Sequence, residues 1–167
     1  MSKFLPVFFV TILFSSFSWS QNRIQIKGKL NTIDHTLQLQ QQTSFENTSS
    51  DTLQEIIFND WANSFSSKSS DLGKRFAENY DRRFHLAKKE LRGRTTIRSV
   101  ADGNYQTLLF SRPARQVDIL KIDLKEPLLP GETVKINIFY EVKIQDARFT
   151  RYGVLDDGDY NLRYWFL

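Results

Sequence analysis

His35 and His85 are the only histidines in the chain, and cysteine is absent. No H-E-x-x-H or H-x-x-E-H segment occurs, so neither histidine has the helical partner that a zinc site of that kind needs. The lack of thiols also excludes disulfides, cysteine zinc sites and a lipid-modified N-terminal cysteine. His85, beside Arg82, Arg83 and Lys88, reads as a surface residue, and His35 as part of a turn. Asp156, Asp157 and Asp159 around Gly158 offer the hard oxygens that calcium prefers, but not the D-x-[DN]-x-[DN]-G spacing or its terminal Glu. They read as a hairpin turn. The serines of Ser64–Ser70 have no Gly-x-Ser-x-Gly elbow, and Asn47-Thr48-Ser49 is a formal glycosylation sequon of weak significance. No residue emerges as catalytic, cofactor-binding or metal-ligating.

Around these residues the pattern is mostly of period two. Ile24, Ile26, Gly28 and Leu30 alternate with polar residues, a break at Asn31–His35 follows, and Leu37 and Leu39 resume the alternation, which predicts a hairpin. Leu53–Phe58 is a third strand after the polar loop Asn47–Asp51. Leu72, Phe76, Tyr80 and Phe84 at four-residue spacing then predict one amphipathic helix within Ser64–Arg94. Ser70 is its N-cap, Asp71 complements its dipole, Gly93 follows its last turn, and Glu78 and Arg82 are placed to pair.

Strands return at Thr95–Val100 and, past the Asp102-Gly103 reversal, at Tyr105–Phe110. Asp118–Leu124 and Thr133–Ile144 follow, joined by a Pro127–Gly131 turn. Val134, Ile136, Ile138, Tyr140 and Val142 share one face of the last of these. Tyr160–Leu167 reads as a closing aromatic strand, an aggregation hazard if uncovered and a reason to expect self-association. About eight strands and one helix give a mainly β fold, an antiparallel two-sheet sandwich with one amphipathic helical insertion.

The first twenty of the 167 residues read as a signal peptide: Lys3, an apolar run, then Ser18-Trp19-Ser20 as a small-x-small cleavage site. The expected mature domain is 21–167, exported to the periplasm, outer envelope or medium, with no membrane attachment after cleavage. A net charge of +4 is too small to imply nucleic acid as a partner.

The run Glu126-Pro127-Leu-Leu-Pro130-Gly131-Glu132 and the strand after it to Tyr140 resemble the P-L-x-P-G-E strand of the N-terminal saddle-like β-sandwich in aminopeptidase N type (gluzincin) zinc metallopeptidases. Leu30–Leu39 is similar to that family's first hairpin. Asn59-Asp60-Trp61 with Lys74–Ala77 resembles the helical insertion of an exported Bacteroidetes-like subgroup, and Tyr160–Phe166 resembles the strand that runs, in that subgroup, into the rest of the sandwich and then the catalytic domain. The resemblance implies a non-catalytic domain, with a catalytic peptidase domain of the same polypeptide as its partner and peptide as the full-length protein's substrate. Zinc, H-E-x-x-H and the G-x-M-E-N loop would lie in that other domain, beyond Leu167, and this chain alone would be inactive. The alternative is a free-standing envelope module that binds peptide or glycan through sandwich loops and aromatics such as Trp61.

Overall fold

The structure, a computed structural model, describes residues 22–167. The expected leader, 1–20, lies outside the described residues. The strands are β1 (Arg23–Asn31), β2 (Thr36–Glu46), β3 (Leu53–Asn59), β4 (Arg94–Asp102), β5 (Phe110–Ser111), β6 (Ile119–Leu128), β7 (Thr133–Lys143), β8 (Gly153–Val154) and β9 (Tyr160–Asn161). They form antiparallel sheets in the orders β1-β2-β7-β4 and β3-β6-β5, with β8-β9 as a small ribbon.

The alternation of β7 decides how the two main sheets meet. Ile136, Ile138, Tyr140 and Val142 are buried, and β2 turns Leu37 and Leu39 to the same side. Ile56 and Phe58 of β3 and Leu120 and Ile122 of β6 join them in one cluster with Val100 of β4. This is a sandwich, in which β2, β3, β6 and β7 bury one side and leave much of the other in water. The expected fold class is the observed one.

The Pro127–Gly131 turn carries the chain from one sheet to the other, because β6 and β7 belong to different sheets. Gly131 takes the left-handed conformation (φ 80°) that side chains disfavour. Its N–H donates to the Asn47 carbonyl at 2.8 Å, and the Asn47 N–H to the Glu132 carbonyl at 2.9 Å. The Glu132 carboxylate accepts from the Leu129 N–H at 2.8 Å. Asn47 also donates its side-chain amide to the Asp51 and Leu128 carbonyls at 2.7 and 3.0 Å. It is 1% exposed, so the sequon asparagine is a buried brace in the folded chain and presents no amide to a glycan.

The predicted single helix is broken. A 3-10 segment, Trp61–Ser66, precedes α1 (Asp71–Glu78), and α2 (Arg83–Leu86) and a further 3-10 turn, Lys89–Leu91, follow. Ser70 does cap α1, accepting from the Gly73 N–H at 3.0 Å. The break lies at Tyr80, whose φ is 57°. There Tyr80 N–H returns to the Ala77 carbonyl and Asp81 N–H to Phe76, a Schellman closure with tyrosine in the place glycine usually takes. Asp81 then starts the next turn, accepting from the Arg83 N–H at 3.0 Å and pairing with its guanidinium at 2.6 Å. Four-residue spacing therefore runs across two helices. Tyr80 is 92% exposed, whereas Phe84 is fully buried with Phe65 and Phe149. Glu78 and Arg82, on either side of the closure, are not one turn apart on a common helix.

Two expected strands are much shorter than predicted. In Tyr105–Phe110 only Phe110 belongs to a strand, with a single bridge from Thr107 to Ala101, and in Tyr160–Leu167 only Tyr160 and Asn161 do. Among the described residues no helix is long and apolar enough to cross a membrane.

Candidate functional site

The residues singled out for chemistry stay apart. His35 adopts φ 49° in the β1–β2 turn, and its Nδ1 lies 2.6 Å from the Tyr160 hydroxyl. His85 is on α2, against the ring of Phe84. Asp157 accepts from the Asp159 N–H at 3.1 Å across Gly158, whose φ is 88°, as a hairpin turn requires. Among the described residues no three of His, Cys, Asp and Glu stand together as metal ligands, so these residues do not fit a zinc site. Ser64 and Ser70 are buried, with the Ser70 hydroxyl donating to the Ser64 carbonyl at 2.6 Å. Trp61 is half-buried among Phe65, Tyr152 and Tyr164, packed edge to face rather than presented flat.

A buried polar hub, not evident in the sequence, stands where the helical insertion meets the sandwich. Asp60, 2% exposed, pairs with the Arg112 guanidinium at 2.5 Å. It also accepts from the Thr95 hydroxyl at 2.6 Å and from the Asn63 N–H at 3.2 Å. Asn63 spans further, from the Thr95 N–H to the Val117 carbonyl. Burial pushes the Asp60 carboxyl up from its ordinary value, against the lowering pull of Arg112 and of the Thr95 hydrogen bond. Every polar atom of the carboxylate is engaged, so the hub fastens three segments and has no group to offer a substrate.

The chain end is fastened in a similar way. Gln41, fully buried on β2, donates to the Leu167 carbonyl at 2.7 Å and accepts from the Tyr140 hydroxyl at 2.7 Å. The Leu167 N–H approaches the same hydroxyl at 3.3 Å. Burial raises the Tyr140 hydroxyl pKa above its ordinary value, so it stays a neutral donor. The expected exposed strand is thus an irregular tail with Leu167 seated in the core, although Tyr164 and Phe166 remain 56% and 41% exposed. Tyr140→Phe is expected to cost about 1–3 kcal/mol by orphaning Gln41 and Leu167. A urea midpoint that falls with an unchanged slope is the matching result.

A broad depression lies on the outward face of the β1-β2-β7-β4 sheet. It holds about 600 Å³ between Asn31, Asp34, Thr36, Gln38, Lys89, Glu90, Arg94, Glu141 and Lys143. Lys143 donates to the Asp34 carbonyl. Partial burial, and then the Arg94 charge beside it, lower the Lys143 pKa. Glu141 lies 3.7 Å from Arg98. The lining is polar and charged, with lysine, arginine, carboxylate and amide groups side by side. Its signal was present in the sequence as the polar half of each alternation. Strand order and register were needed to place those halves side by side.

No family model matches the chain, and no curated protein matches it. Among solved structures it is similar to a mutant M1 zinc metallopeptidase from Deinococcus radiodurans bound to a Tyr-Ser-Ala substrate, at 12% identity and a TM-score of 0.40. It is also similar to a two-domain M1 zinc metallopeptidase mutant bound to L-arginine, at 14% identity and a TM-score of 0.39. A further Deinococcus radiodurans M1 zinc metallopeptidase structure matches at 14% and 0.38. Each match covers 66% of this chain and 17% of the other, so the chain spans about a sixth of the length of these proteins.

Proposed function

We propose that the chain supplies the non-catalytic N-terminal β-sandwich of an exported zinc metallopeptidase of the aminopeptidase type, where it packs on a catalytic domain of the same polypeptide and shapes its cleft. One observation carries the reading: the Glu126–Glu132 segment that resembles the family turn is the crossover between the two sheets, held by Gly131 and Asn47. A motif that closes a sandwich in the family stands here at the closure of a sandwich.

A surface suited to such packing is available. β1 is an edge strand paired with β2, and most of its residues are exposed. Ile24 and Leu30, on the inward side of β1, are 47% and 39% exposed, and Ile33 in the following turn is 88% exposed. Under this reading the polypeptide following Leu167 starts close to this open side, because Gln41, which holds Leu167, is paired with Ile26 of β1. Zinc, the general base and the substrate-amine contacts belong to the following domain, and peptide is the substrate of the whole protein. The leader read in residues 1–20 places that protein outside the cytoplasm.

The test is the peptidase activity of the polypeptide read from the gene through and beyond the Leu167 codon. It should hydrolyse an aminoacyl substrate with zinc bound, and Ile24→Asp with Leu30→Asp should weaken attachment of this domain and reduce activity about tenfold or more. A frame without H-E-x-x-H and a distal Glu contradicts the reading.

A further inference from the structure

The outward face of the four-stranded sheet is composed differently from a merely solvated one. Register places Lys27, Gln40 and Phe139 side by side across three strands, and likewise Lys29, Gln38 and Glu141. One row further, Asn31, Thr36, Lys143 and Arg94 are aligned. A second depression, about 160 Å³, continues the track past Gln25, Gln40 and Gln42 to Tyr105. From Asn137 to Lys143 the track runs about 20 Å, and the four strands make it about 14 Å wide. It is a platform for a polymer and not a pocket for a small molecule.

Its chemistry is mixed in a specific way. Gln38 and Gln40 are exposed, with no hydrogen bond to other described side chains, and each amide both donates and accepts. Tyr105 and Phe139, 74% and 46% exposed, offer ring surface along the track. Lys27, Lys29 and Arg94 have no ion pair among the described residues, and the acid in their midst, Glu141, is already beside Arg98. Asp34 accepts from the Asn31 amide, and Glu90 sits at the rim. Sugar hydroxyls donate and accept as amides do, pyranose rings stack on aromatic faces, and carboxylates answer unpaired cations. A phosphate backbone offers acceptors alone and would leave the amide oxygens without a donor.

We infer that this face is a binding track for an acidic, carboxylate-bearing polysaccharide, lying on the side of the sheet opposite to the one left open for a catalytic domain. The inference does not depend on the peptidase reading. It is tested by titrating the chain with polygalacturonate, and in parallel with neutral dextran, oligothymidylate and polyglutamate. Polygalacturonate should bind at least about tenfold more tightly than the other three, with an affinity that falls as salt rises. Lys27→Glu with Lys29→Glu should weaken it by about tenfold or more, and Gln38→Ala with Gln40→Ala by about fivefold, at unchanged melting midpoints. Arg94→Glu, on the opposite edge strand, gives an independent charge reversal should the first pair disturb β1. Absence of binding at low salt, equal binding of oligothymidylate or polyglutamate, or indifference to loss of the two glutamines would each overturn the proposal.

Discussion

Asp60→Ala is expected to destabilise the fold by about 3–5 kcal/mol, because it leaves the Arg112 guanidinium beside a vacated, buried site. The Thr95 hydroxyl and the Asn63 N–H lose their acceptor in the same step. At about 2–4 °C per kcal/mol for a domain of this size, the melting midpoint should fall by roughly 6–20 °C. Arg112→Ala in the Asp60→Ala background should cost much less than Arg112→Ala alone, since a charge pair is lost only once. A midpoint within about 2 °C of the parent would mean that the hub is not fastened as described.

The same site has a pH signature. Burial raises the folded-state pKa of Asp60 above the ordinary 3.8, so the folded chain holds this proton more tightly than the unfolded chain does. Its contribution is then full below pH 3.8 and is lost as pH rises through the folded value. Asp60→Asn cannot titrate. Relative to that variant, the parent should gain stability as the solution is made more acid across this window, and thermal melts of both proteins at a series of pH values measure it.

Phe84→Ala is expected to cost about 3–5 kcal/mol, as for a large aromatic removed from a packed interior. Phe84 is fully buried and stands at the centre of Phe65, Phe76 and Phe149, with ring centroids 5.3 to 6.2 Å away. These residues form a cluster separate from the sandwich core. The loss should therefore be local: amide exchange should accelerate through α1, α2 and the adjoining 3-10 turns while β2 and β7 keep their protection. Uniform acceleration in both sheets would show instead that the insertion and the sandwich melt as one unit.

The sandwich was legible in the alternation, above all in β7, where every second residue from Ile136 to Val142 is buried. The helix was only partly so. Leu72, Phe76 and Phe84 do face the aromatic cluster, but Tyr80 interrupts the path because the backbone closure at Asp81 requires a left-handed residue there. Periodicity reports which side chains seek the interior and is blind to a turn that reorders them. The tail misled in the opposite sense. Alternating aromatics predicted a strand, whereas two long-range hydrogen bonds, from the Gln41 amide to the Leu167 carbonyl and from the Leu167 N–H to the Tyr140 hydroxyl, take the place of ladder pairing. Asp60 and Arg112 are distant in sequence and join only through the fold. The polar platform, too, was written as the discarded half of each alternation, and it needed the β1-β2-β7-β4 order before its residues became neighbours.

Under the proposed function, a zinc peptidase domain follows this sandwich in one polypeptide. The most direct measurement is zinc-dependent hydrolysis of an aminoacyl substrate by the full gene product, alongside the chain ending at Leu167. Hydrolysis is expected from the former, abolished by a chelator and restored by zinc, and none from the latter. An intact gene product that binds no zinc and hydrolyses nothing would contradict it.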